Sequence, residues 1–496
     1  MKHPATRNAH SNPACRALLP LLVNSVLGML LAGPAIAGQT VARHDYVVRV
    51  DPGLATLHID ASFDGSVDSV TARSRNAGNY LSAFRNCADS EIIRMRNRRM
   101  ILPAGGIRCM SYSVDLRAAA AAQRHNHALA DDNRIVSPAY WLWRPEVSVQ
   151  TEIHLRFDLP EGIAVSVPWE PVAGKAHTYR ITQSPEIGYA PVAFGRFNDY
   201  SINVPGATLR VSMMRPITPM NDDAVLQWLE AAATDVSLAY GKFPNPSPQV
   251  IIVPVADSAD SAMSAVQRGR VIRDGGESIE LFINPHQPLL DDVTATHQFS
   301  HLMLPYVGSQ QRWIVDGMAQ YYETVLLARS GAYDNQRAWQ LLYEGFERGR
   351  LSRPQLSPNE ASAGRASDSA MKINWSGAAL ALMADVALRE HSGGSESLDD
   401  VLERLQSCCL PSDRVWSGPE LFATLDSLSS TPVFMPLYRR YADTSGFPDT
   451  RPLFGRLGLT IDEGQVRIRR NAALTGIRNA ITATAAWSER LASNAP

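Results

Sequence analysis

The sequence predicts an all-β N-terminal domain, followed by an α+β segment and a mostly helical C-terminal part. From residue 41 to about residue 215, short runs such as 46–50, 151–157 and 208–212 alternate in polarity or are rich in β-branched residues. Turns with glycine and proline separate these runs, which is typical of a β-sandwich. Helical patterns dominate from residue 291 to about residue 442. Because strands and helices are segregated, the second half belongs to the α+β class.

The sequence between these regions changes character near residue 219. Residues 222–240 carry apolar side chains at helical spacing, and strand-like runs follow at 250–255 and 278–284. Farther along, Ser397 and Asp400 have the spacing of a helix-capping box. The predicted segments are, in chain order, an N-terminal signal (1–37), a β-sandwich (38–218), a subdomain with the two strand-like runs (219–330), a helical domain (331–460) and a short tail (461–496).

The first 37 residues have the pattern of an export signal. Lys2, Arg7 and Arg16 precede an apolar run at 17–32, and the small-residue cleavage site Ala-Ile-Ala occupies 35–37. The alternative is a single membrane anchor, although the apolar run falls short of the roughly 20 residues that a span needs. No later segment is long and apolar enough for a span. The mature protein is therefore expected to be periplasmic or secreted, without a membrane span.

The composition excludes several classes of protein. The 496-residue chain is 45% hydrophobic and 19% charged, which argues against intrinsic disorder. Its 47 Lys and Arg residues are balanced by 49 Asp and Glu residues. Nucleic-acid-binding proteins carry a basic excess, so no nucleic-acid partner is expected.

Export makes the cysteines informative, because disulfides form in oxidising compartments. Cys15 would leave with the signal, and four cysteines would remain. Cys87 and Cys109 flank two short alternating segments and are predicted to pair. Cys408 and Cys409 are adjacent, and the sequence leaves open whether they form a vicinal disulfide or stay as buried thiols.

The candidate site begins with the segment Thr-His-Gln-Phe-Ser-His at 296–301. On a helix, His297 and His301 would lie about 40° apart around the axis and about 6 Å along it, so both imidazoles could face one ion. An HxxxH pair is a weak signal by itself. The segment 312–323, which reads RWIVDGMAQYYE, provides the context that it needs.

The combination resembles the gluzincin pattern, in which HExxH is followed by a second helix starting W-x-x-E-G-x-A-x-Y-x-E. Within the gluzincins it is similar to the M61 (glycyl aminopeptidase-like) metallopeptidases. Residues 375–389 and 393–401 resemble a further block of that family. The resemblance spans about 290–460 and implies a thermolysin-like catalytic domain with zinc, acting on peptides. The PDZ module that often ends this family is not expected in the about 40 residues that follow.

The resemblance also implies roles for individual residues. His297, His301 and Asp316 occupy the positions of the zinc ligands, and Gln298 occupies the position of the catalytic Glu. An oxyanion-stabilising Tyr would lie near 374–375, where this chain has Asn and Trp. Gly276 and Glu277 are assigned to substrate binding, beside the strand at 278–284 that would pair with the peptide backbone.

Three departures from the family pattern bear on activity. Gln298 is neutral and cannot accept a proton, Asp316 is one methylene shorter than Glu, and the Tyr is not evident. The first interpretation is a catalytically impaired, peptide-binding or very slow peptidase that retains zinc. The second is an active zinc aminopeptidase that uses another base, with Glu323, Glu277 and Glu280 as candidates. The third is a metal-free periplasmic interaction protein.

Overall fold

A computed structural model describes residues 42–483, apart from 88–93, 97–98, 124–131, 146–150, 184–189, 216–219, 256–264, 274–275, 290, 365–368 and 413. The predicted export signal at 1–37 and the last part of the predicted tail lie outside these residues. Within the described ranges, no helix has the length and apolar character needed to cross a bilayer.

The described residues of the N-terminal part form three sheets, with one short α-helix and two short 3₁₀ turns. Its strands are β1 (Ala42–Val50), β2 (Thr56–Val67), β3 (Ser69–Thr71), β4 (Leu81–Asn86), β5 (Arg94–Arg96), β6 (Arg99–Ile101), β7 (Ile107–Asp115), β8 (Asn133–Val136), β9 (Arg144–Pro145), β10 (Thr151–Asp158), β11 (Ala164–Ser166), β12 (Glu170–Pro171), β13 (Thr178–Gln183) and β14 (Val192–Gly195). The sheet orders are β12-β13-β10-β1-β2-β7-β4, β5-β6-β3-β9 and β11-β14-β8. This β-rich architecture agrees with the prediction for the N-terminal part.

Alternating side chains explain why these strands pack into one core. In β1, Tyr46, Val48 and Val50 are buried, while the residues between them are partly or fully exposed. One face of each strand can therefore meet the opposite sheet while the other faces solvent. Trp141 and Trp143 fill the same hydrophobic core.

Two sequence predictions for the N-terminal part concern a disulfide bond and a surface insertion. Cys87, directly after β4, is joined to Cys109 on β7, and their Cα atoms are 5.7 Å apart. Residues 116–135 resemble a surface insertion in sequence. In the structure, α1 (Leu116–Ala121) begins this stretch and buries Leu116 and Ala119. The side chain of Asp115 caps this helix by accepting a hydrogen bond from the backbone N–H of Ala118.

A five-stranded sheet forms the next layer. Its strands are β15 (Asn198–Val204), β16 (Ala207–Met213), β17 (Gln249–Pro254), β18 (Val266–Ile272) and β19 (Ser278–Ile283), in the order β15-β16-β17-β19-β18. The sheet therefore draws strands from both sides of the boundary expected at residue 218. Among the described strands, β18 is the edge next to β19, and the two run antiparallel.

Helices cover this sheet and build the C-terminal part. They are α2 (Asp222–Ser237), α3 (Thr294–Ser300), α4 (Trp313–Arg329), α5 (Asn335–Leu351), α6 (Pro358–Ala363), α7 (Ala370–His391), α8 (Leu398–Cys409), α9 (Gly418–Leu428), α10 (Phe434–Tyr441), α11 (Arg451–Leu457) and α12 (Thr475–Thr482). The apolar stripe predicted in 222–240 is the buried face of α2. The predicted capping box is confirmed at the start of α8, where the side chains of Ser397 and Asp400 each bond the other's backbone N–H.

Buried charges connect three of these helices. Arg329 at the end of α4 forms a buried ion pair with Asp399 of α8, with Nη1 and Oδ1 3.1 Å apart. On α7, Asp385 accepts a hydrogen bond from Tyr321 of α4 at 2.8 Å. Because each charge has a partner, this network holds α4 in place without leaving a bare buried ion.

The tail contains a small hairpin before α12. Strands β20 (Leu459–Asp462) and β21 (Gln465–Ile468) form a two-stranded antiparallel sheet. The sequence predicts one strand and one weak helix from residue 464 onward, and β21 and α12 occupy those positions.

At the end of α8, the adjacent Cys408 and Cys409 are joined to each other by a disulfide bond.

Candidate active site

The two histidines of the HxxxH segment lie side by side. His297 and Gln298 belong to α3, whereas His301 begins a short 3₁₀ turn that continues directly from it. The ring centroids of His297 and His301 are 5.0 Å apart, and the rings are nearly perpendicular. The structure therefore brings together the first two of the predicted metal ligands.

Glu323 orients the first of these histidines. Its Oε2 lies 3.0 Å from Nδ1 of His297, and its Oε1 accepts a hydrogen bond from Gln320 at 3.1 Å. Because a carboxylate only accepts hydrogen bonds, Nδ1 carries the proton and Nε2 of His297 keeps its lone pair. Metal-binding histidines commonly donate their other ring N–H to a carboxylate in this way.

The surroundings of His301 disfavour its protonated form. Burial lowers the pKa of His301 well below its usual range, and electrostatic interactions with the neighbouring His297 and Arg273 lower it further. Its imidazole is therefore neutral at pH 7.

Asp316 lies in the first turn of α4 and lines the same cavity as the histidines. Burial raises the pKa of Asp316, while Arg312 and His297 lower it, and the net shift is upward. Arg312 directly precedes α4, so one helix start places a cation and a carboxylate next to each other. The sequence does not suggest a site role for Arg312.

These residues do not form a complete zinc site. Among the described residues, no three His, Cys, Asp or Glu side chains stand close enough together to hold a metal ion. His297 and His301 suit zinc, which binds neutral imidazoles. Asp316, on the neighbouring helix, does not complete the set, in keeping with a side chain one C–C bond, about 1.5 Å, shorter than Glu.

Gln298 occupies the position of the catalytic base and is packed against the sheet. Its side chain is only 8% exposed and still lines the cavity. A Cβ atom at Gly269 of β18 would come within 2.6 Å of Cγ of Gln298. Gly269 therefore makes room for this amide, a role that the sequence alone does not show because the two residues are 29 positions apart.

The cavity around these residues has a volume of about 410 Å³. Asn374 of α7 lines it, at the place where the family resemblance implies a Tyr. Trp375, the other residue at that place, is buried against Gly345 of α5. A tyrosine that the sequence does not single out, Tyr306, lines the cavity with 44% of its surface exposed.

Gly276 and Glu277, which are predicted to bind substrate, do not line the cavity of the histidines. Both line a separate cavity with Trp169 and Pro411. Glu277 is mostly shielded from solvent and forms an ion pair with Arg273, whose Nε is 3.3 Å from its Oε2. Burial raises the pKa of Glu277, and Arg273 opposes that shift. The carboxylate is therefore engaged by Arg273 at the second cavity.

The edge strand also differs from the prediction. The run at 278–284 corresponds to β19, which lies between β17 and β18 and so cannot receive a further strand. The edge is β18, whose sequence Val-Gln-Arg-Gly-Arg-Val-Ile does not alternate in the way that predicts strands. Glu280 of β19 is fully buried and ion-paired with Arg270 of β18, so it is not a free carboxylate at the site.

Comparisons with known proteins support the fold and nothing finer. No protein-family model and no curated protein sequence matches the chain. A crystal structure of an aminopeptidase N family protein from Idiomarina loihiensis matches with a TM-score of 0.61 at 13% identity, covering 84% of this chain and 79% of that one. An M1 zinc metallopeptidase from Deinococcus radiodurans has a TM-score of 0.47 at 14% identity, covering 82% of this chain and 94% of that one. A score this low adds no weight.

The fold of this chain is thus similar to that of an aminopeptidase N family protein. At 13% identity, the match to the Idiomarina loihiensis structure shows a shared fold and does not establish an activity. The chain has a metallopeptidase-like fold, with a β-rich N-terminal part followed by a largely helical C-terminal part.

Proposed function

We propose that this chain is an exported, M61-like protein of the gluzincin group that binds peptides in the histidine cavity without hydrolysing them at a useful rate. The observation that carries the proposal is Gln298, a neutral amide packed at the position where the family resemblance implies a general base. An amide cannot take a proton from water at any working pH. Loss of a general base typically removes about 10²–10⁴ in rate.

The ligand set supports an impaired site as well. Zinc at this position would be held by His297 and His301, with Asp316 as the proposed third ligand. Since Asp316 does not complete the set, we expect weak zinc binding.

Peptide binding is the property that the geometry retains. The cavity opens beside β18, and an edge strand presents backbone groups that an extended peptide can pair with. Its volume of about 410 Å³ falls in the range of small-ligand sites, roughly 300–1,000 Å³. The proposed ligand is therefore a short extended peptide or an exposed segment of a protein.

The alternative of an active aminopeptidase needs another base, and the three candidate carboxylates are all engaged. Glu323 holds His297 and Gln320, Glu277 pairs with Arg273, and Glu280 pairs with Arg270.

The alternative of a metal-free interaction protein differs from our proposal only in whether the site binds zinc. Metal titration separates the two.

The proposal is tested by equilibrium dialysis of the protein against a mixture of short peptides, with mass spectrometry of both chambers. We expect a subset of peptides to be enriched with the protein and to stay intact. Ser309→Trp, at the wall of the cavity, should abolish the enrichment, whereas Ser427→Trp on the exposed side of α9 should leave it unchanged. No enrichment with the wild-type protein would refute peptide binding, and accumulation of cleavage products would refute the lack of hydrolysis.

A further inference from the structure

The charges that line the histidine cavity are mostly positive. Among the described lining residues, Arg270, Arg273 and Arg312 are arginines, and Asp316 is the one carboxylate. A site for the free amine of a peptide would need the opposite balance, because an ammonium group is stabilised by carboxylates.

Two of these arginines are held in place by carboxylates that do not line the cavity. Arg270 is paired with Glu280 across the β18–β19 ladder, and Arg273 is paired with Glu277. Arg273 also donates to the backbone carbonyl of Leu304. These contacts fix both arginine side chains at the cavity wall. Because the side chains are already ordered, little conformational entropy is lost when a ligand binds to them.

Arg312 is not fixed by hydrogen bonds in this way. Its Nε is buried without a hydrogen bond among the described residues, although the nearby Asp316 interacts with it electrostatically. A buried charged donor without an acceptor is costly. Because Arg312 lines the cavity, a hydrogen-bond acceptor on a bound ligand can pair with its guanidinium group.

We infer that the cavity recognises a carboxylate of the bound peptide, from either the C-terminus or an acidic side chain. The inference rests on the proposed peptide binding and adds the chemical class of the recognised group. A planar guanidinium matches a carboxylate with two parallel hydrogen bonds, which neither an amide nor an ammonium group can replace. Glu277, the acid that would meet a peptide amine, is buried in the other cavity.

Isothermal titration calorimetry with four tetrapeptide probes tests this inference. The probes are acetyl-tetraalanine with a free C-terminal carboxylate, its C-terminal amide, the same amide with one internal Asp, and tetraalanine amide with a free N-terminal amine. We expect the free carboxylate to bind at least about tenfold more tightly than the uncharged amide. If the internal Asp restores the affinity of the amide, an acidic side chain suffices; if it does not, the C-terminus is the recognised group.

Variants identify the arginine responsible. Arg312→Gln should weaken binding of the carboxylate probe by about tenfold or more and leave the amide probe unchanged. Arg268→Gln removes the same charge from β18 on the side of a different cavity and serves as the matched control. Circular dichroism verifies that both variants are folded.

The possible failures are distinguishable. If the amine probe binds most tightly, or if the carboxylate and amide probes bind equally, the inference is overturned while peptide binding stands. If no probe binds, both the inference and the proposed function are wrong. Equal loss of affinity in Arg312→Gln and Arg268→Gln would also overturn the role of Arg312, because it would indicate a general charge effect.

Discussion

Gly317 of α4 and Gly377 of α7 bring their helices into backbone contact, since a Cβ atom on Gly317 would come within 2.2 Å of Cα of Gly377. This crossing lies next to the site: Asp316 precedes Gly317, and Asn374 lies one turn before Gly377. The side chains of Asp316 and Asn374 both line the histidine cavity. The crossing thus couples fold stability to the geometry of the site.

The first prediction concerns this crossing. Gly317→Ala should lower the free energy of unfolding by about 1–3 kcal/mol, because the added methyl group must push the helices apart. Gly455→Ala in α11 is the matched control, as no atom lies within 4 Å of its Cβ position. It should be neutral or stabilising by up to about 1 kcal/mol. Urea denaturation measures both, and equal stability of the two variants would contradict the close contact.

The second prediction concerns metal affinity. Wild-type protein should bind zinc weakly, and Asp316→Glu should bind it about tenfold or more tightly, because its carboxylate extends about 1.5 Å farther. Glu323→Ala should weaken binding by about 10–100-fold through loss of the support to His297. Competition with a zinc-sensitive dye measures these affinities.

The control for the metal experiment is Glu344→Ala, which removes a surface carboxylate from α5. Its zinc affinity should equal that of the wild type. Tight binding by the wild type that is indifferent to Glu323→Ala would show that zinc binds elsewhere.

The third prediction concerns pH and Asp235 of α2. Burial raises the pKa of Asp235 to about 6, and a hydrogen bond from Ser330 opposes this. A carboxyl with a raised pKa contributes stability below its unfolded pKa, near pH 4, and loses that contribution as pH rises through about 6. Asp235→Asn stays neutral, so it should be more stable than the wild type by roughly 1–3 kcal/mol at about pH 7.5 and nearly equal at about pH 4.

Urea denaturation at several pH values checks this prediction. Asp462→Asn, which removes an exposed carboxylate from the β20–β21 hairpin, is the control and should change little at any pH. A stability difference for Asp235→Asn that does not vary with pH would contradict the buried environment of Asp235.

The parts of the fold that the sequence predicts are those with local signals. The apolar stripe of α2 and the capping box of Ser397 depend on residues within one or two turns, so periodicity and spacing reveal them. Strand β18 carries Arg268 and Arg270 at an edge, where polar residues are tolerated, and its sequence therefore resembles a loop.

The candidate site divides in the same way. His297 and His301 are visible in sequence because one stretch of helix carries both. Arg273 and Gly269 belong to the site only through the sheet, and nothing in their neighbouring residues indicates it. Glu277 shows the reverse situation: its sequence position suggests a role at the site, but it pairs with Arg273 and lines another cavity.

A restored site gives a further prediction about rate. Gln298→Glu alone supplies a base to an incomplete ligand set, so it should increase peptide hydrolysis only slightly. The double variant Gln298→Glu, Asp316→Glu should hydrolyse Gly- or Ala-terminated peptides faster than either single variant, with up to about 10²–10⁴ contributed by the base. His301→Ala in the double variant should erase the gain. Equal rates for the double variant and wild type would contradict the roles assigned to these two positions.

The most direct test of the central claim, peptide binding without hydrolysis, is a time course of wild-type protein with zinc and Gly- and Ala-terminated peptides, followed by mass spectrometry. Our account predicts that the peptides remain intact over many hours, with a rate no higher than that of His301→Ala. Chelator-sensitive cleavage by the wild type that His301→Ala abolishes and Gln298→Ala preserves would contradict it.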